Sequence, residues 1–314
     1  MSAKIVFMGT PEFAVPSLTA LIENDYEVVG VVTQPDRPKG RGKQIMPSPV
    51  KRVAEAAGLP VLQPKSLKDE AAFQALVNLA PDFILVAAFG QILRANVLAL
   101  PPHGCLNVHA SLLPRWRGAA PVAAAIRAGD AESGVTLMQM NEGLDTGPMI
   151  AKRTIPLTAS HTAETLTAEL AELGAALLIE TLPAWLAGDL TSKPQDDRLA
   201  TYAPRLQKEE GAIDWTQSAV EIERQVRAFY PWPGTFTEGP AGPFKILAVA
   251  LSPEVAAPAG TLPGTVFKHN RQVHLATGLG TLQLVTVQPS GKKEMPAEAM
   301  LNSQPNLWGT RLGI

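Results

Sequence analysis

The chain has 314 residues, 46% of them hydrophobic and 18% charged, with a formal net charge of −2. This length and balance accommodate two packed domains, and they exclude a disordered chain or a uniformly basic nucleic-acid coat. No apolar run approaches the roughly 20 residues needed to span a bilayer, no signal peptide is expected, and the single cysteine, Cys105, excludes an internal disulfide and a multi-cysteine metal site and fits a reducing cytoplasm.

In chain order, short apolar runs at Lys4–Met8, Val28–Thr33, Phe83–Ala87 and Cys105–Val108 read as strands. Helical stretches fall between them at Val50–Ala57, Ala71–Leu79 and Ile92–Ala99. Near-continuous apolar strands alternating with helices imply a mostly parallel, Rossmann-like sheet covered on both faces. Ligands of such sheets sit beyond the carboxyl ends of the strands. Two further strands, Val135–Met140 and Met149–Thr154, flank a Gly-Leu-Asp-Thr-Gly turn. A helix follows with Leu166, Leu170, Leu173 and Leu177 on one stripe, running to about Leu186 before Gly188 and Asp189 stop it. Residues 1–189 thus read as one α/β domain and the polar stretch 190–207 as a linker. In residues 208–314, Ser218 and Glu221 have capping-box spacing ahead of a stripe of Ile222, Val226 and Phe229. Short β-prone runs then recur at Phe244–Val249, Gly264–Lys268, Val273–Thr277 and Leu282–Val287, the spacing of a small β-barrel, OB-like or otherwise.

The chemistry-bearing segment is Asn107-Val108-His109-Ala110-Ser111-Leu112-Leu113-Pro114, followed by Arg115-Trp116-Arg117-Gly118. Side chains alternate along a strand, so Asn107 and His109 share a side and present a donor amide and an imidazole together at the strand end. Asp145 lies in the turn bounded by Gly143 and Gly147 and is free to project a carboxylate toward the same rim. Each residue type alone is commonly structural; their conjunction makes a candidate site. The histidines show no paired ligand spacing, so no metal is expected. The turn after the first strand, Gly9-Thr10-Pro11-Glu12-Phe13-Ala14, lacks the G-x-G-x-x-G of dinucleotide folds.

The string from Asn107 to Pro114 with Gly118 resembles the folate-dependent formyltransferases. The similarity extends to Gln34–Pro38, Arg41–Lys43, Met46–Lys51, Met138–Met140 and Gly291–Lys293, a pattern pointing to the branch of that family that acts on aminoacyl-tRNA. The resemblance implies Asn107, His109 and Asp145 as the catalytic trio. It implies a folate-holding set made of Ala87, Ala88, Phe89 and Gly90 with the loop Ser111, Leu112, Leu113, Pro114 and Gly118. The implied reaction moves a formyl group from 10-formyltetrahydrofolate to the α-amino group of methionyl-initiator tRNA, with no metal, no membrane and a monomer sufficient. Pro11 removes a backbone donor and Glu12 adds negative charge, which argues against the relatives that cradle a phosphate at that turn.

The same resemblance assigns the long irregular loop at residues 34–49 to RNA contact. Arg37, Lys39, Arg41 and Lys43 fall within seven residues there, with glycines at 40 and 42, and Arg41 is the principal candidate. Lys245, Lys268, Arg271, Lys292 and Lys293 would add a basic face on the C-terminal domain. Splitting the charges at residue 205 gives 18 basic and 20 acidic residues, then 9 and 9, so any RNA contact rests on local patches. The alternatives on the same fold are a 10-formyltetrahydrofolate hydrolase, with water as nucleophile, and a sugar-nucleotide formyltransferase.

Overall fold

A computed structural model describes residues 3–39 and 44–313. The chain forms two compact units. The first comprises residues up to Pro121, Glu132–Pro156 and Leu166–Ala203, and the second Val122–Ala131, Leu157–Thr165 and the chain from Pro204 onward. The division is less segregated than a single break at a linker. Helix α5 (Pro121–Ala128) groups with the second unit, where Arg127 lies 5.0 Å from the Phe229 ring centroid and 3.6 Å from the Glu210 carboxylate.

The first unit is built on a seven-stranded sheet: β1 (Lys4–Gly9), β2 (Glu27–Val32), β3 (Val61–Leu62), β4 (Phe83–Ala87), β5 (Cys105–His109), β6 (Glu132–Gln139) and β7 (Met149–Pro156), in the order β7-β6-β5-β4-β1-β2-β3. The five strands from β5 to β3 are parallel; β6 pairs antiparallel with β5, and β7 antiparallel with β6. β4 and β5 are buried at every residue, as expected for central strands covered on both faces. On one side Val6, Met8, Val32, Leu76, Ile84, Val86 and Phe89 form a core cluster. On the other, α6 (Ala163–Leu186) comes so close that a Cβ added at Gly174 would meet Val108 at 2.7 Å. Pro183 lies inside α6 and costs a helix interior roughly 3 kcal/mol. Leu166, Leu170, Leu177, Leu178 and Leu182 are buried, and at about 2 kcal/mol each they more than offset it.

Helices α1 (Val15–Glu23), α2 (Pro49–Ala56) and α3 (Glu70–Asn78) match the expected α/β alternation. The expected helix at Ile92–Ala99 is reduced to α4 (Ala95–Leu98), because its first turn is not amphipathic in place: Ile92 is 85% exposed. The loop expected to be irregular instead holds an antiparallel ribbon, Arg37–Lys39 against Gln44–Met46. Its base is tied to the sheet: Thr10 Oγ1 and Gln34 Nε2 both donate to the Phe89 carbonyl, at 3.1 and 3.3 Å.

In the second unit, α7 (Ala219–Ala228) starts with the expected capping box, the Ser218 hydroxyl accepting from Glu221 N and the Glu221 carboxylate from Ser218 N. Strands β8 (Thr235–Thr237), β9 (Phe244–Leu251), β10 (Val266–His269), β11 (Gln272–Ala276) and β12 (Thr281–Pro289) form an antiparallel sheet in the order β8-β9-β12-β11-β10, with β13 (Met295–Pro296) paired to β12. Register shifts in β9 bend the sheet around Trp215, Ile222, Val226, Ile246, Leu275, Leu284 and Leu301, and α8 (Ala297–Ser303) supplies the last of these. The result is a small, barrel-like sheet domain. Among the described residues no helix is long and apolar enough to cross a membrane.

Candidate active site

The carboxyl end of β5 presents Asn107 and His109 on one side of the sheet, opposite Met138 and Thr136 of β6. Both are buried, at 8% and 6% exposure. Among the described residues the Asn107 carboxamide makes no hydrogen bond, yet it is not one of the polar groups sealed from solvent without a partner. It therefore faces an opening as an available donor. His109 Nε2 lies 3.1 Å from the Trp116 carbonyl oxygen. A carbonyl only accepts, so Nε2 carries the proton and the nitrogen left to exchange one is Nδ1. Nδ1 faces Asp145 Oδ2 at 3.7 Å, beyond direct hydrogen-bonding range.

Asp145 is held by its surroundings as much as by its own turn. Its Oδ2 accepts from Gly118 N at 2.8 Å, and its backbone is left-handed, with φ +51°. Asn141 Oδ1 accepts from Gly143 N and Thr146 Oγ1 inside the same turn. Gly147 has no room for a side chain, since an added Cβ would lie 1.8 Å from the Gln139 carbonyl oxygen. Gly118 is constrained twice, by φ +114° and by the Ala203 carbonyl oxygen 2.6 Å from where a Cβ would sit.

The loop after β5 folds over Thr136, which is completely buried. Thr136 Oγ1 donates to Ser111 O at 2.7 Å and accepts from Leu113 N at 3.1 Å, while Ser111 Oγ donates to Arg115 O at 2.7 Å. Lys152 Nζ donates to Leu113 O, and burial pulls the Lys152 ammonium below its ordinary pKa. The Leu113 side chain is fully buried and the Leu112 and Pro114 side chains half-buried. At the end of β4, Ala87 is buried; Ala88 and Gly90 are exposed in left-handed conformations, φ +46° and +85°. Phe89 between them is a core residue whose carbonyl is already engaged by Thr10 and Gln34.

The segment expected to be a linker forms a wall of this site. Tyr202–Ala203 pairs in parallel with Arg117–Gly118. Trp116 N donates to Thr201 Oγ1 at 2.9 Å, Ser192 Oγ to Gln139 Oε1 at 2.8 Å, and Gln195 Nε2 to the carbonyls of Asp145 and Gly147 at 2.7 Å each. The Arg117 guanidinium, 2% exposed, donates to Gln195 Oε1 and Asp197 Oδ1. Burial pulls its pKa down, and hydrogen bonds to Asp197 and Tyr202 outweigh this and raise it. Sequence reading missed Ser192, Gln195, Asp197 and Thr201; a polar Gln-Asp-Asp run after a helix stop looks like any exposed connector.

The basic residues are distributed differently. Arg37 is exposed, and among the described residues its side chain is bonded to Gln34 Oε1 at 3.4 Å. Arg41, Lys43 and the side chain of Lys39 lie outside the described residues. In the second unit Lys245, Lys268, Arg271, Lys292 and Lys293 are all exposed, and among the described residues none of them forms an ion pair. The strand register sets Lys245 opposite Gln288, four residues before Lys292, and Arg271 in the tight β10–β11 turn. Lys268 instead lies 5.8 Å from the Trp308 ring centroid.

A formyl transferase family model matches residues 3–182, and the model of the formyl transferase C-terminal domain matches residues 205–305. The chain belongs to the formyltransferase family. This formyltransferase is 50% identical over 301 residues to the methionyl-tRNA formyltransferase of Marinobacter nauticus, covering 95% of this chain and 96% of that one. Its fold is similar to the N-formyltransferase of Helicobacter canadensis solved with folinic acid and dTDP-3-aminofucose (17% identity, TM-score 0.66, covering 94% and 100% of the two chains). It is also similar to HypX of Aquifex aeolicus solved with tetrahydrofolic acid (19% identity, TM-score 0.64). The latter match covers 96% of this chain and 47% of HypX, so the chain spans about half of that protein's length. Among the described residues no three His, Cys, Asp or Glu side chains come together as metal ligands.

Proposed function

We propose that this formyltransferase moves the formyl group of 10-formyltetrahydrofolate onto the α-amino group of methionyl-initiator tRNA, using Asn107, His109 and Asp145. The observation that carries the acceptor is the 50% identity, end to end, to a methionyl-tRNA formyltransferase. The residues fit a bound formyl carbonyl: the Asn107 amide is an available donor facing an opening, two strand positions from the buried His109 and on the same side of the strand. The folate supplies, when bound, an acyl carbon activated by its N10 leaving group. Exposed backbone at Ala88 and Gly90 and the loop from Ser111 to Pro114 with Gly118 are the surfaces assigned to hold it.

The methionyl amine has a pKa near 8, so about a tenth or more is neutral and nucleophilic at cellular pH. As it adds, negative charge develops on the formyl oxygen. Asn107 donates to that oxygen, and so does protonated His109 through Nδ1, since Nε2 is committed to Trp116. Each good donor of this kind contributes about 3–4 kcal/mol to acyl transfers. Asp145, facing His109 Nδ1, takes the proton leaving the amine and passes it toward N10. Cys105 is buried with its thiol pushed up to about 12, and Ser111 Oγ is bonded to Arg115 O, so neither is poised as a nucleophile.

In this reading residues 1–189 carry the chemistry, and the basic loop with the 208–314 domain contacts RNA through Arg37, Lys39, Arg41, Lys43, Lys245, Lys268, Arg271, Lys292 and Lys293. A panel of acceptors tests the assignment: charged initiator tRNA, uncharged tRNA, a nucleotide-linked amino sugar and water alone, each with labelled formyl donor. Label transferred only to charged tRNA is the expected result. Formate released at the same rate without tRNA, or transfer to the sugar, would replace the reading with one of the two alternatives.

A further inference from the structure

Three consecutive residues fix the relation between His109 and Asp145. The Trp116 carbonyl holds His109 Nε2 at 3.1 Å, the Gly118 amide holds Asp145 Oδ2 at 2.8 Å, and the Arg117 side chain between them meets Gln195 Oε1 at 3.0 Å. A guanidinium only donates, so it fixes which end of the Gln195 amide faces it. The Nε2 end must then point the other way, and it does, donating to the carbonyls of Asp145 and Gly147 at 2.7 Å each. Flipping the amide would set Oε1 against two carbonyl oxygens and the amide nitrogen against a cation. The turn is confined at Gly147 as well, where the Gln139 carbonyl oxygen lies 1.8 Å from where a Cβ would sit.

We propose that Gln195, oriented by the buried Arg117 guanidinium, is a positioning residue that clamps the Asp145 turn and holds its carboxylate against His109. The inference rests on the reading of Asp145 given above. Asp145 occupies a left-handed backbone conformation, which is of higher energy for a residue with a side chain and persists where neighbours over-determine it. Gln195 supplies two of those constraints from a segment 50 residues away. Asp197, whose side chain is 83% exposed, meets Arg117 from the solvent side and neutralises it without touching the turn.

Two variants of the full chain test this. Gln195→Leu removes the amide, and Gln195→Glu keeps the acceptor for Arg117 while turning the donor end into an oxygen that repels both carbonyls. Displacements of about 1 Å at a reacting centre cost up to ~100-fold, so kcat should fall about 10- to 100-fold in both. KM for folate and for tRNA should stay within about twofold, because no substrate contact is lost, and the thermal midpoint should fall by several degrees from the lost hydrogen bonds with the fold retained. The deciding readout is the cycle with Asp145→Asn: if Gln195 acts only through Asp145, adding Gln195→Leu to Asp145→Asn lowers kcat no further. Wild-type kcat in both Gln195 variants overturns the proposal, as does a loss that multiplies in the Asp145→Asn background. Variants that lose their fold along with their rate would make the contact structural and equally overturn it. An active Asp145→Asn enzyme is a different failure, that of the catalytic reading itself.

Discussion

Thr136→Val is a sharp test of how the loop from Ser111 to Pro114 is supported. The substitution keeps the shape of a completely buried side chain and deletes one hydroxyl. That hydroxyl serves two backbone groups, Ser111 O at 2.7 Å and Leu113 N at 3.1 Å. Each buried group left without a partner costs about 1–3 kcal/mol, so the pair sums to roughly 2–6 kcal/mol. The added methyl returns about 0.8 kcal/mol of apolar burial, which does not offset the loss. The account predicts a destabilisation of about 1–5 kcal/mol in denaturant titration, together with a raised KM for the formyl donor from a loosened loop. A change below about 0.5 kcal/mol, the scatter of ordinary surface substitutions, with KM unaltered, would refute the claim that the loop hangs on Thr136.

Gly118→Ala should destabilise by about 1–3 kcal/mol from backbone conformation alone, and it should also lower kcat, because the displaced amide is the one bonded to Asp145; denaturant titration and steady-state kinetics report the two effects separately, and wild-type values in both would contradict the structure. Cys105, with its thiol pushed up to about 12 by burial, is protonated throughout the working pH range, so iodoacetamide at pH 8 should label it only after denaturation; rapid stoichiometric labelling of the native protein would be the contrary result. Arg41→Ala should raise KM for tRNA and flatten its salt dependence by about one released counterion, leaving KM for the formyl donor unchanged; equal effects on both substrates would place Arg41 in the folate site instead.

Much of the fold was legible because its central strands are short, apolar and buried on both faces, so Phe83–Ala87 stands out without knowledge of its partners. Asn107 and His109 were legible for the same reason: a period of two puts them on one side of whatever strand they end. Asp145 was marked by its flanking glycines, which the structure accounts for at Gly147 by the Gln139 carbonyl. What stayed hidden depends on pairings distant in sequence. Residues 190–203 have no periodicity, since their hold on the site comes from single side chains such as Gln195 and a two-residue strand pairing 85 positions from Arg117. The ribbon in the basic loop contains Pro38, and a proline in a three-residue run reads as irregular chain. The tautomer of His109 was beyond any sequence signal, because the group that fixes it is a backbone carbonyl.

The central claim is that the Asn107–His109–Asp145 cluster transfers formyl to an aminoacyl-tRNA. Its most direct test is single-turnover transfer of labelled formyl from 10-formyltetrahydrofolate to methionyl-initiator tRNA, comparing the wild type with His109→Ala. The account predicts rapid transfer by the wild type and a rate at least about 100-fold lower in the variant, with both substrates still bound. Transfer by His109→Ala at the wild-type rate would contradict it, as would wild-type turnover that yields formate and leaves the tRNA unlabelled.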